Sequence, residues 1–352
     1  MNKRLSLVLL SLAWLLAGCA TQAHRDLEQA RQRRMEDSLG NRKLMLTRES
    51  EDRILALDPE RVSEKEVREV LTNAPAPRII NIHGGLLPLD FGMRSFSQFL
   101  IGMGYPEWSV KNPGTGAYTY SCFQDSFELA GVVAWSYEKE GLRPMMLGHS
   151  VGGMQTVKVL GNMAYATNQL IIWNPVTEKT EDRREIKDPV TGQPRALVGL
   201  QMSFASALGA GGFARVVPSQ WAMNSKVRII PDTVEEFTGF YMGLDFVGGD
   251  YLGFGSANRF YPSGTARVRN VQLPTGSGHA SVPYTRSLLK SQPIVDWINN
   301  FNPTNVMAFD DQPFKINANI MWAGNVWHSI KKHWVLELQH FIRARRALSD
   351  GH

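Results

Sequence analysis

A serine hydroxyl becomes a useful nucleophile only when a base takes its proton. This chain sets one serine where that can happen. Gly148-His149-Ser150-Val151-Gly152 is a G-x-S-x-G run, and Gly153 follows it. The apolar stretch Met145-Met146-Leu147 precedes the run, and a helical pattern follows. A buried strand that turns sharply into a helix would lift the Ser150 hydroxyl above the sheet edge, with a helix N-terminus behind it. Glycine at 148 and 152 lets the strand and helix approach closely and lets the turn adopt a strained backbone. So short a motif is weak alone, and its context is what raises it.

The base must lie downstream, and His279 is the best candidate. It ends the Gly-rich loop Pro274-Thr275-Gly276-Ser277-Gly278-His279, which follows the strand-like Arg267–Leu273. His149 sits inside the turn itself, His24 lies in a charged N-terminal stretch, and His328, His333 and His340 fall on a C-terminal helical pattern. An acid should precede His279 and hold its imidazole in the productive tautomer. Asp250 ranks first: it follows an apolar pair and a Gly turn, about 30 residues before His279. Asp245 and Asp232 stay open as alternatives, although Asp232 with Glu235 also reads as a helix cap. An oxyanion needs two backbone N–H donors. Val151 supplies one. Gly85 is the best source of the other, in the His83-Gly84-Gly85-Leu86 loop that ends the strand pattern Arg78–Ile82.

These residues need a scaffold, and the periodicity predicts one. Strand patterns at 78–82, Trp108–Val110, 144–149, Leu170–Trp173 and 267–273 alternate with helical patterns at Phe91–Met103, Ser126–Glu140, Val151–Leu160 and Tyr284–Trp297. That alternation predicts an α/β fold, with a mostly parallel central sheet and helices on both faces. The expected organisation is a first core part at 63–176, opened by a Ser63/Glu66 capping box, and a cap or lid insertion at 177–245. A second core part follows at 246–300. Residues 301–352 form a C-terminal extension with a basic amphipathic helix from Val326 to Ala347, whose tryptophans Trp322, Trp327 and Trp334 read as packing residues.

With those motifs in place, residues 78–160 and 267–297 resemble the α/β-hydrolase superfamily, and H-G-G with G-H-S-V-G-G resembles its lipases and esterases. The resemblance implies the α/β-hydrolase fold and carboxylic-ester hydrolysis through an acyl-enzyme. Ser150 is then the nucleophile, His279 the base, Asp250 the first-ranked acid, and Gly85 and Val151 the oxyanion donors. A thioesterase or amidase would use the same residues. The roughly 70 positions after His279 exceed what that family usually needs.

Residues 1–18 pair a basic start (Lys3, Arg4) with an apolar run from Leu5 to Ala17, which is short for a membrane span and reads as an export signal. Leu16-Ala17-Gly18-Cys19 resembles the bacterial lipobox. That resemblance implies cleavage before Cys19, lipidation of Cys19 by acyl chains such as palmitate, and, with Ala20 next, sorting to the cell outer membrane. Residues 19–62 are expected to form a charged tether. An ester or lipid substrate is the expected partner, together with the membrane through Cys19. Cys122 remains a lone thiol and reads as a small packed residue.

Net charge is +5 and falls to about +3 without Lys3 and Arg4, with acids interspersed among the bases, which does not suit nucleic acid. There is no H-E-x-x-H, no clustered Cys and His, and no Gly-rich phosphate loop, so neither a metal nor another cofactor is expected. The rival reading from another class is a non-catalytic envelope lipoprotein that uses the same fold as a binding or scaffolding module.

Overall fold

The computed structural model describes residues 46–166, 169–210, 227–248, 259–275, 278–304 and 313–350, with isolated positions between 22 and 33. The signal segment 1–18 and Cys19 lie outside the described residues. Five strands form one sheet in simple sequence order: β1 (Ile79–Ile82), β2 (Met145–His149), β3 (Met202–Leu208), β4 (Val234–Met242) and β5 (Arg267–Leu273). Every pairing in this sheet is parallel. All five C-terminal ends therefore emerge on one edge, where loops from distant parts of the chain can meet.

β1, β2 and β3 are buried along their whole length. Their side chains alternate between two cores. Met145, Leu147, Phe204 and Leu208 join one, while Met146, Ala205 and Ala207 join the other. Eight helices are used below: α1 (Arg48–Leu55), α2 (Glu64–Glu69), α3 (Leu87–Gly102), α4 (Glu107–Val110), α5 (Ser126–Glu140), α6 (Val151–Tyr165), α7 (Gln292–Asn300) and α8 (Ala318–Asp350). Residues of α3, α7 and α8 fill the first core, and those of α5 and α6 fill the second. Local signals explain several ends. Ser63 and Glu66 form a complete capping box on α2. Asp125 accepts the Phe127 N–H at 2.7 Å to open α5, and Gly141 closes it at φ +79°.

The structure departs from the pattern in five places. The span 177–245, expected to be a cap, holds β3 and β4, two of the five sheet strands. Its other described strands are short pieces: Lys179–Thr180, which pairs with Trp173–Asn174, the hairpin Glu185–Lys187 with Pro194–Ala196, and Ile229–Ile230. A strand covered on both faces is a continuous apolar run, and Met202–Leu208, rich in Ala and Ser, hides inside its small-residue surroundings. Leu170–Trp173 does not enter the sheet; it lies against α5, where a Cβ on Gly131 would stand 2.4 Å from the Ile171 carbonyl oxygen. Trp108–Val110 is a helical turn, part of α4. Within Tyr284–Trp297, a 3₁₀ turn at Arg286–Lys290 precedes α7.

The fifth departure concerns both ends of the chain. The C-terminal helix, expected as a basic amphipathic helix from Val326 to Ala347, is longer and is a core element. α8 runs 33 residues, or about 50 Å, with Trp322, Trp327 and Trp334 all buried. The indole N–H groups of Trp327 and Trp334 donate to Asn299 Oδ1 and the Pro75 carbonyl at 2.9 and 2.8 Å. The expected tether likewise stops early, because α1 packs on α8. Ile54 is fully buried, Gln339 donates its amide to the Ile54 and Leu57 carbonyls, and Glu51 pairs with Arg345 and Arg346. Among the described residues no helix is long and apolar enough to cross a membrane.

Arg78, just before β1, is fully buried, and its Nε meets both carboxylate oxygens of Glu140 at 2.9 and 3.0 Å. Its Nη1 donates to the Trp108 and Lys111 carbonyls. Removing one charge of such a pair strands the other in a dry interior. Glu140→Ala should therefore lower the unfolding free energy by about 3–5 kcal/mol, read from the urea midpoint, whereas an Arg78→Met/Glu140→Leu double variant should lose far less.

Candidate active site

β2 delivers Ser150 to the C-terminal edge of the sheet. Ser150 stands at φ +56° and ψ −119°, a region that side-chain-bearing residues rarely occupy. Two glycines permit the turn. A Cβ on Gly148 would lie 2.2 Å from the Gly152 carbonyl oxygen, and one on Gly152 would lie 2.4 Å from the Ile82 carbonyl oxygen and 2.5 Å from that of His83. The end of β1, the turn and the first residues of α6 thus touch backbone to backbone. The Ser150 N–H donates to the Leu208 carbonyl at 2.8 Å, which ties the turn to the end of β3.

The imidazole of His279 reaches the same place from beyond β5. A Cβ on Gly209, the residue after Leu208, would lie 2.9 Å from its Cε1 and 3.1 Å from its Nδ1. The His279 carbonyl accepts the Nε2–H of His149 at 3.0 Å, and the two rings lie 4.8 Å apart. Ser150 and His279 are therefore both anchored on Leu208-Gly209 and on His149. His279 Nδ1 donates to Asp245 Oδ2 at 2.8 Å. Because Nδ1 carries the proton, Nε2 keeps its lone pair, and Nε2 is buried without a hydrogen-bond partner in the protein.

The carboxylate on this imidazole is Asp245, where the sequence pattern ranks Asp250 first; Asp250 lies outside the described residues. Asp245 follows the end of β4 by three residues, behind Leu244 at φ +61°, and its Oδ1 accepts the Gly248 N–H at 2.9 Å. That tight turn directly after a strand is the signal that places it. Asp232 plays another part: its Oδ1 accepts the N–H groups of Thr265 and Ala266 at 2.6 and 2.9 Å, pinning the chain just before β5.

The His83–Gly85 loop ends β1 beside this turn. A Cβ on Gly85 would lie 3.3 Å from Val151 Cγ2, so the two backbone segments proposed to donate to an oxyanion are neighbours. The first N–H groups of α6 have no acceptor within their helix. A cleft of about 680 Å³ opens beside the loop, with His83, Tyr120, Phe123, Trp173, Asp90 and Arg94 among its lining. Asp90 is committed within it: it holds Arg94 at 2.7 Å and accepts the Thr119 hydroxyl at 2.7 Å. Cys122 is buried, which pushes its thiol up to about 11, the opposite of what a reactive thiolate needs.

His149 is fully buried, and burial first, then the charge that His279 can carry, pulls its imidazole down to about 3. The folded protein thus holds it neutral, while the unfolded chain protonates it below its ordinary value of 6.5. Between those two values the unfolded state binds the extra proton, so stability is full above pH 6.5 and is lost as the pH falls. At pH 5 this amounts to about 2 kcal/mol for His149 alone. Chemical denaturation at pH 7.5 and 5 should show a loss in the native protein larger by about that amount than in His149→Gln, whose amide can still donate to the His279 carbonyl. Equal losses would show that His149 is not kept neutral.

No protein-family model matches the sequence, and no curated protein matches it.

Proposed function

We propose that this chain is a serine hydrolase of carboxylic esters, an α/β-hydrolase with Ser150, His279 and Asp245 as its triad. The observation that carries the reading is the Asp245–His279 pair at 2.8 Å, with His279 Nε2 buried and free to accept, beside a serine at φ +56°.

In this reading Ser150 Oγ attacks the ester carbonyl carbon while His279 Nε2 takes its proton. Asp245 holds Nδ1–H, fixes the tautomer and stabilises the imidazolium as it forms. The carbonyl oxygen becomes an oxyanion and is met by the N–H groups of Val151 and Gly85, at the N-terminus of α6 where negative charge is favoured. Collapse breaks the bond to the leaving oxygen, and the imidazolium returns its proton to the departing alcohol. Water then repeats the sequence on the acyl-enzyme. His149, neutral and locked to the His279 backbone, keeps a second positive charge away from the imidazolium.

The cleft beside Gly85 would receive one arm of the substrate. Packing a long alkyl chain against Asp90 and Arg94 would desolvate an ion pair for little return. Short or polar groups fit this lining better than fatty chains. The motif at Cys19 would anchor the enzyme by lipidation to the outer membrane of a bacterial envelope, with residues 20–45 as its leash.

A fluorophosphonate probe should label the native protein and leave Ser150→Ala unlabelled; absence of labelling on folded native protein would overturn the enzyme reading in favour of a binding module. Asp245→Asn should lower turnover of p-nitrophenyl acetate by about 10⁴-fold through the wrong imidazole tautomer, and Asp250→Asn should stay near native. Across p-nitrophenyl esters, kcat/KM for butyrate should exceed that for laurate by on the order of tenfold, and the reverse order would favour a lipid acyl substrate.

A further inference from the structure

A second cavity lies away from Ser150, at the other end of β5. It measures about 430 Å³ and is walled by Arg267 and Arg269 of β5, His328 and Lys332 of α8, Glu236 of β4, and the Glu60–Arg61 and Asn302–Thr304 loops. Its chemistry follows from register. Arg267 and Arg269 are two apart on one strand and so point to one face of the sheet. His328 and Lys332 are four apart on one helix and so share a face. β4 sets Glu236 beside Arg267 in the pairing.

The ion pairs in this cavity leave one cation over. Lys332 sits between Glu60 at 2.7 Å and Glu236 at 2.9 Å. Arg267 is taken by Glu235 at 2.9 Å. Among the described residues Arg269 has no ion pair: its Nη1 donates to Asn325 Oδ1 at 2.7 Å, and its Nη2 is buried without a hydrogen-bond partner. Burial pulls this guanidinium below its ordinary value, and Glu236 and Glu60 at longer range only partly offset that. Arg61 at the rim is held only loosely, 3.9 Å from Asp58 and largely exposed. His328, with its Nε2 3.5 Å from Glu60, is pulled down to about 4 by burial and so adds no charge to the cavity at pH 7.

A buried guanidinium donor with nothing to bond has lost its hydration without replacement. A planar fork of N–H groups is shaped for an oxyanion and binds one in two-point fashion. We propose that this cavity is a binding site for a phosphate group, free or as a phosphate ester, held by Arg269 with Arg61 at the mouth. The site stands on its own residues and does not depend on the hydrolase reading.

The test is titration calorimetry of the full folded chain with inorganic phosphate, against chloride at matched ionic strength. A second arm measures co-sedimentation with vesicles of phosphatidylglycerol in phosphatidylcholine. Phosphate heat that is lost at least tenfold in Arg269→Met supports a site open to soluble phosphate. Binding to the anionic vesicles alone, lost equally in Arg269→Met, supports the site and assigns it to a lipid headgroup. No binding in either arm, or binding that Arg269→Met retains, overturns it. Should Arg269→Met not fold, Arg61→Gln is exposed and serves instead, with an expected affinity loss of about threefold; unchanged phosphate and vesicle binding in Arg61→Gln would then overturn the proposal.

Discussion

The site rests on a backbone contact that leaves no room for a side chain. At the end of β2 the turn, the start of α6 and the end of β1 meet with carbonyl oxygens 2.2–2.5 Å from where Cβ atoms of Gly148 and Gly152 would stand. Only hydrogen fits there. That contact sets the strained backbone of Ser150, and it brings the His83–Gly85 loop against Val151. Strain of this kind costs about 1–3 kcal/mol per residue and persists only where the surroundings fix it. Here the surroundings are a fully buried strand on one side and the Leu208 carbonyl on the other.

The parallel sheet then supplies everything else. Because the five strands run one way, Gly85, Ser150, Gly209, Asp245 and the loop bearing His279 all follow C-terminal ends on one edge. His149 and His279, 130 positions apart, meet without any long reach. Gly209, at φ +57°, makes the meeting close, because its missing side chain leaves the space that the His279 ring and the Asp245 carboxylate occupy.

How much of this was legible in the sequence varies with the kind of signal. The turn at 148–152, the H-G-G loop and His279 each carry local punctuation, glycine beside an apolar run, and each lies where that punctuation predicts. The carboxylate on His279 carries none. Asp245 is set by a left-handed Leu244 and by one hydrogen bond from Gly248, which are properties of the folded turn. Gly248-Gly249 marks a turn in the sequence, and Asp245 and Asp250 stand on either side of it. β3 was illegible for the opposite reason: Met202–Leu208 is buried on both faces, so it shows no alternation. α8 misled through its charges. Lys331 is buried with its ammonium on the Asn299 carbonyl at 2.6 Å, and Lys332 lies between two carboxylates, so these two basic side chains of the helix are taken up inside the fold.

The two edges of the sheet do different work. At the C-terminal edge the described residues bring together Ser150, His149, His279 and Asp245 with few ion pairs. At the N-terminal edge nearly every strand begins with a charge. Arg78 opens β1 on Glu140. Arg143, before β2, bonds Gln201 ahead of β3, Glu235 at the start of β4, and Glu337 on α8. Glu236 and Arg267 continue the network into β5. Such pairs add little net stability over apolar packing, because each ion must first lose its water. Their effect is on register. A one-residue slip of β3 would turn its side chains to the opposite face and carry Gln201 from Arg143, and a slip of β4 would do the same with Glu235. The ionic edge thus penalises misalignment at one end of the strands, and the same alignment sets the loops after β2, β4 and β5 side by side at the other.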